Sequence, residues 1–401
     1  MNILHVIPSV GPHRGGASQA VLEMLQSLKN TKVKVELVTT NDNGTDLLDV
    51  PLCQLTQYQE IPTRFFPRFS PQVSFVREFA FSWELTKWLW KHIHEYDLVH
   101  IHALFSYAST VAMIISRFKQ VPYINQPHGL LCEWSLQQSQ LKKKIYLSLL
   151  EKSNLQHSRI LQLTSTKEVE EVELLGLGVP PVVIPLGLQI SPDIPQSRQK
   201  LREMFNIPPE QTIILFMSRL HYKKGLDYLI PALSKIKDKE FTFILAGNGS
   251  PDYEAEISEL LINNQLEHCT HRPGFVTGEM KDILLQGSDI FVLTSHSENF
   301  GVVVLEAMAA GLATIVTPGV ALASMIKEND VGYVPELDIE EISGVIEHCL
   351  NHPQESQEIG DSYGALRYRA RQFILDNYTW DHIASKMISV YENIIQDNKH
   401  L

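Results

Sequence analysis

Short apolar runs alternate with stretches of helical periodicity along almost all of this 401-residue chain, and that alternation confines it to parallel, doubly wound α/β architectures. In the first half, strands are expected at Ile3 to Ile7, Val33 to Val38, Leu98 to Ile101, Pro122 to Asn125, Ile160 to Leu163 and Val182 to Ile184. The second half offers Ile213 to Met217, Phe241 to Ala246, Ile290 to Leu293 and Thr314 to Val316. A chain this long exceeds one ordinary core, so two domains are expected. The sharpest composition break is Ile184-Pro185-Leu186-Gly187, followed by the aperiodic, proline-punctuated stretch to Pro195. Proline and glycine end the strand there, which sets a first domain at 1–187, a second at 188–378 and a last amphipathic helix within 379–401.

Composition removes several classes. Cys53, Cys132, Cys269 and Cys349 lie far apart with no metal-ligand spacing, so they read as free thiols in a reducing cytosol. The start, Met-Asn-Ile-Leu-His-Val-Ile-Pro, lacks a basic leader, and no apolar run reaches the length of a membrane span. A cytoplasmic protein is expected. Net charge is −12, which disfavours general nucleic-acid binding. Residues 1 to 187 hold 17 Lys plus Arg against 16 Asp plus Glu, leaving 17 against 30 for the rest. Any surface that meets an anionic membrane therefore belongs to the first half.

Chemistry concentrates in Ser297-Glu298-Asn299-Phe300-Gly301, with Glu306 eight residues beyond Glu298. Gly301 lets a loop pass close to a ligand, and Glu306 is expected about two turns inside a helix over Val302 to Ala310. A helix N-terminus favours phosphate, so carboxylates beside it are expected to serve hydroxyls. A ligand with a diphosphate and two polyhydroxylated ends, a nucleotide sugar, fits that demand. Arg219 and Lys224 follow the run Thr212 to Met217 and precede Gly225 and another helix. Two cations at a strand end form a diphosphate clamp.

These residues resemble glycosyltransferase family 4. The matching positions are Arg219, Lys224 and Gly225, and Glu298, Phe300, Gly301, Glu306, Ala307 and Gly311, with looser similarity from Gly15-Gly16 onward. The resemblance implies a retaining enzyme of the GT-B fold, in which two Rossmann-like domains face a central cleft, the first on the acceptor side and the second binding the nucleotide sugar. It further implies that Arg219 and Lys224 hold the donor diphosphate, Glu306 the ribose hydroxyls, and Glu298 the transferred sugar, beside Asn299, Phe300 and Gly301. Gly274-Phe275-Val276 would border the base, with a backbone contact near Val276. The last helix would pack back across the first domain, and the donor would be a UDP-sugar, though GDP and ADP donors also occur in the family, with its hexose passing to a glycan or lipid-linked glycan acceptor.

Further candidates are weaker on residues alone. Gly15 and Gly16 lie between the first strand and a helix expected near Ser18; they read equally as a tight turn or, by resemblance, as an approach to the donor. His128, in Pro127-His128-Gly129 at a strand end, matches the family's active-site histidine, whereas His100 and His102 read as packing or acceptor-side residues. Gly247-Asn248-Gly249 borders the same cleft. No Asp-x-Asp occurs, so no metal is expected, and cations with helix N–H groups would replace it at the leaving diphosphate. Residues 64 to 91 interleave Arg64, Arg68, Arg77, Lys87 and Lys91 with Phe and Trp, and Lys142 to Lys144 are expected on a helix. Such stretches suit either a peripheral membrane contact or a core with a solvated face. An epimerase of the same architecture and a catalytically silent sugar-nucleotide-binding subunit are the rival readings.

Overall fold

A computed structural model describes residues 1–29, 31–71, 79–137, 140–351 and 362–399. The chain divides into two compact units, one of Met1–Gly187 with Trp380–Leu401 and one of Leu188–Thr379. The first unit thus draws on two separate stretches of chain.

Its sheet is built from β1 (Asn2–Val6), β2 (Lys34–Thr40), β5 (Leu55–Tyr58), β6 (Ile61–Phe66), β7 (Leu98–His102), β8 (Tyr123–Gln126), β9 (Leu161–Leu163) and β10 (Pro181–Val183), in the order β10-β9-β8-β7-β1-β2-β6-β5. A small hairpin, β3 (Asp42–Asn43) with β4 (Asp46–Leu47), stands apart. All pairings in the sheet are parallel except the β5–β6 edge. Side chains alternate between faces, so Leu4, Val6, Val99 and Ile101 enter one core while Ile3, Leu37, Leu98 and Ile124 enter another. The helix Trp380–Lys399 covers that second face through Trp380, Ile383, Met387 and Tyr391. A side chain at Gly187 would overlap the Trp380 ring.

The second unit holds β11 (Thr212–Met217), β12 (Phe241–Ala246), β13 (Thr270–Gly274), β14 (Ile290–Leu293) and β15 (Ala313–Val316), parallel throughout and ordered β13-β12-β11-β14-β15. β12 and β14 are buried along their whole length, the signature of a sheet covered on both faces. The chain works outward from β11 and then returns to its other side at β14. Ligands of open α/β sheets bind beyond the carboxyl ends at such a reversal.

The structure adds strands that the apolar pattern did not predict, at β5, β6 and β13 and in the β3–β4 hairpin. Residues 64 to 68 are accordingly not a membrane face: Phe65 and Phe66 are core, Arg64 pairs with Glu36 at 2.6 Å, and buried Arg68 is bound to Asp42. Arg77 and the Lys142 side chain lie outside the described residues. Lys143 turns inward, donating to the Ser135 carbonyl at 2.6 Å. Among the described residues, no helix is long and apolar enough to cross a membrane.

Candidate active site

In the second unit, the loops after β11, β12 and β13 are knitted together. Ser218 N–H donates to the Ala246 carbonyl at 3.1 Å, Leu220 N–H to Asn248 at 2.8 Å, and Gly247 N–H to Gly274 at 2.7 Å. Gly247 has φ +137°, and a side chain there would overlap the Ser218 carbonyl, so glycine is required for these loops to close. Arg219 stands exposed on this joined surface, and Val276 lies half-buried two residues beyond β13, next to exposed Phe275.

A short 3-10 turn, Tyr222–Lys224, then delivers Lys224 to the end of β14. Gly225 (φ +67°) packs on the Thr294 backbone, Thr294 Oγ1 donates to the Gly225 carbonyl at 2.9 Å, and His296 N–H donates to Lys223 at 2.9 Å. From the other side, Glu298 is fixed by its N–H to Gly319 and by its carbonyl receiving Ala321 N–H, both at 3.0 Å. The Lys224 ammonium and the Glu298 carboxylate meet as an ion pair, with side chains 12% and 20% exposed. Residues 74 positions apart therefore share one place.

Glu298 and Glu306 were expected to serve hydroxyls; in the structure each carboxylate holds a lysine. Glu306 accepts from Lys281 Nζ at 2.7 Å. Lys281 has no spacing signal in the sequence, being one lysine on the helix Gly278–Gly287. Glu306 is the fifth residue of the helix Val302–Ala309, about one turn in, not two. Gly301 (φ +84°) turns the chain into that helix, and a side chain there would press on the Glu298 side chain and Val304. Asn299 is half-buried, while Phe300 is 3% exposed, so its ring belongs to the core and its backbone alone faces the loop.

In the first unit, Gly15 takes φ +82° and Gly16 already begins the helix Gly16–Leu28, two residues ahead of the expected Ser18. Open space surrounds both glycines. His128 (φ +54°) follows β8, half-buried. Its turn is anchored by Glu168, whose carboxylate accepts Gly129 N–H at 2.9 Å and Thr164 N–H at 2.7 Å. Burial raises the Glu168 carboxyl above its ordinary value and lowers the His128 imidazole to about 4.

Behind His128 lies a feature that spacing does not reveal. The register pairs His5 with His100 across β1 and β7, and His102 with Gln126 across β7 and β8, on the face covered by Tyr391. His5 Nδ1 lies 3.1 Å from His102 Nε2, His102 Nδ1 lies 3.1 Å from Gln126 Oε1 and 3.3 Å from His128 Nε2, and His100 Nδ1 lies 2.7 Å from the Tyr391 hydroxyl. His5, His100 and His102 are fully buried, and burial holds each imidazole far below its ordinary value. One nitrogen from each lies within 4.8 Å of the others. The expectation of no metal-ligating set did not foresee this cluster; the hydrogen bond between His5 and His102 already engages a nitrogen of each.

The chain matches two family descriptions in succession: "Glycosyl transferase 4-like domain" over residues 15–187 and "Glycosyl transferases group 1" over residues 197–367. It is 25% identical over 319 residues to the uncharacterized glycosyltransferase MJ1607 of Methanocaldococcus jannaschii, covering 75% of this chain and 76% of that protein. It is 23% identical to the alpha-1,3/1,6-mannosyltransferase ALG2 of Kluyveromyces lactis, covering 93% of this chain and 83% of ALG2. Its fold matches Anabaena HepE, solved in complex with UDP-glucose, at a TM-score of 0.72 and 19% identity over 98% of this chain and all of that one. Strand-end loops, a doubly wound sheet in each unit and both family matches lead to one statement: the chain belongs to the family 4 glycosyltransferases, with the GT-B fold.

Proposed function

We propose that this glycosyltransferase is a retaining hexosyltransferase that carries glucose from UDP-glucose to a carbohydrate or lipid-linked glycan during polysaccharide assembly. The observation that carries the reading is the Lys224–Glu298 pair at the point where the second sheet reverses. A diphosphate arriving there would draw on Arg219, Lys224 and the first N–H groups of the helices after Gly225 and Gly301. Lys224, turning to the phosphate, would release Glu298 to hydrogen-bond the transferred sugar. Glu306, steadied by Lys281, would accept from the ribose hydroxyls, and the backbone near Val276 would meet the base. Gly247, Asn299 and the Phe300 backbone would border the same ligand. Gly15, Gly16 and His128 would contribute from the first unit, His128 at the transferred sugar.

Catalysis on this reading needs no metal: the cations and helix N–H groups stabilise the charge developing on the leaving diphosphate. The acceptor hydroxyl attacks from the leaving-group face, and the departing phosphate takes its proton, so configuration is retained. UDP-glucose bound to HepE, of the same fold, supports the choice of donor. The test is a panel of UDP-, GDP- and ADP-sugars, read by nucleoside diphosphate release and by the anomeric signal of the product. Preference for a GDP- or ADP-sugar, or an inverted anomer, would refute the corresponding part.

A cytoplasmic enzyme peripheral at the inner face of a membrane completes the proposal. Exposed Trp83, Lys87, Trp90 and Lys91 share one face of the helix Trp83–His92, and Lys119 Nζ lies 4.2 Å from the Trp90 ring beside exposed Phe118. Aromatic and basic groups so mixed suit an anionic lipid interface. Replacing Trp83, Trp90 and Phe118 together by serine should abolish sedimentation with vesicles containing anionic lipid; equal sedimentation of variant and wild type would exclude this face.

A further inference from the structure

The imidazoles behind His128 constrain which of its nitrogens carries the proton. The Gln126 amide oxygen can only accept, so His102 Nδ1, 3.1 Å away, must bear a hydrogen. His102 is fully buried and neutral, so its Nε2 is bare and accepts from His5 Nδ1–H at 3.1 Å. His5 Nε2 is then also bare, in keeping with its burial without a hydrogen-bond partner among the described residues. At the other end, His128 Nε2 lies 3.3 Å from that same His102 Nδ1–H. A proton on His128 Nε2 would set two N–H groups against each other, whereas a bare Nε2 accepts a shared hydrogen bond.

We infer that His102, backed by His5 and Gln126, is a positioning residue that locks His128 as the neutral Nδ1–H tautomer. His128 then meets its ligand through Nδ1–H as a hydrogen-bond donor, and neither nitrogen serves as a general base toward the acceptor. This is opposite to the solvated neutral histidine side chain, which prefers the proton on Nε2. The backbone is held to the same end, because Glu168 fixes the Gly129 N–H and so the turn that carries the ring. The catalytic meaning of the lock rests on the proposed contact between His128 and the transferred sugar; the lock itself does not.

Long-range 1H–15N spectra of the full chain labelled at histidine read the tautomer directly, with His128 identified by the signals lost in His128→Gln. The expected result is a bare Nε2 and a protonated Nδ1 at neutral pH; a protonated Nε2 in the wild type overturns the proposal. His102→Phe keeps a ring of similar size and should return His128 to the Nε2–H form. Gln126→Met, which removes only the amide acceptor, should do so in part and serves if the first variant misfolds. An unchanged His128 tautomer in folded variants also overturns the proposal. In turnover, His102→Phe should lower kcat about tenfold with donor KM nearly constant, a split that a general loss of folded protein would not produce. Adding UDP-glucose should shift the His128 Nδ1 signal. If it does not while the tautomer is as stated, the lock stands and the proposed sugar contact falls.

Discussion

At the scale of single residues, the two glutamates on either side of Gly301 are each paired with a lysine. Lys224 holds Glu298 and Lys281 holds Glu306, so removing either lysine takes the counter-charge from a half-buried carboxylate. Lys224→Ala should therefore cost the diphosphate a charge-assisted bond of about 1.5 to 3 kcal/mol and also free Glu298 to repel the ligand. Its donor constant should rise more than that of Arg219→Ala, since Arg219 is exposed and forms no ion pair with a carboxylate among the described residues. Equal effects in steady-state kinetics would show that the Lys224–Glu298 pair has no influence on donor binding. Lys281→Ala should resemble Glu306→Ala, raising the donor constant, whereas Glu298→Ala should lower turnover as well. Full activity in excess EDTA is expected if Arg219 and Lys224 stand in for a cation; loss restored by magnesium or manganese would contradict it. Arg219, Lys224, Glu298 and Glu306 were legible as a constellation because Arg219 follows a strand end, Lys224 precedes Gly225, and Glu298 and Glu306 stand eight residues apart on either side of Gly301. Lys281 and the histidines behind His128 were not, because a lone lysine on a helix and alternating histidines on strands gain meaning only from register.

Among elements, the strands found from sequence carry short apolar runs, most of them buried, with edge strand β10 the exposed exception. β6 carries Pro62 and Arg64, and β13 reads Thr-His-Arg-Pro-Gly. Both lie toward sheet edges, where proline and charge are tolerated and the apolar signal fades. The loops joining strand ends are less forgiving than the strands. Gly247→Ala should destabilise the second unit by about 1 to 3 kcal/mol, through the clash with the Ser218 carbonyl and the forced φ, and should weaken donor binding with it. A melting temperature and donor constant like wild type would remove that role. A π-helical turn at Leu147–Glu151 supplies a pH test. Buried Glu151, accepting from Thr110 Oγ1 at 2.6 Å, has its carboxyl raised by burial from 4.5 to about 7. Between those values the unfolded chain loses a proton that the folded one keeps, so wild type loses stability as pH rises through the window. Glu151→Gln does not titrate. Its stability relative to wild type should climb by about 3 kcal/mol from pH 4.5 to 7 and level off above. Parallel melting curves across that range would place the carboxyl at its ordinary value.

For the whole molecule, the uneven charge of the sequence follows the division into units, with the acidic excess in the stretch that carries Arg219 and Lys224. The break after Gly187 was visible as proline and glycine, but the return of Trp380–Lys399 to the first unit was not a matter of composition; only the family resemblance implied it. That helix buries Trp380, Ile383, Met387 and Tyr391, and each such side chain contributes about 1.5 to 3 kcal/mol. A chain ending at Thr379 should therefore lose the cooperative melting of the first unit while the second still unfolds as a transition of its own; two intact transitions would show that the helix is dispensable. The same helix sets the order in which the protein can mature. A ribosome finishes the continuous stretch 188–379 before Trp380 exists, so the segment made first is completed last, and its uncovered face has to be kept from aggregating throughout synthesis.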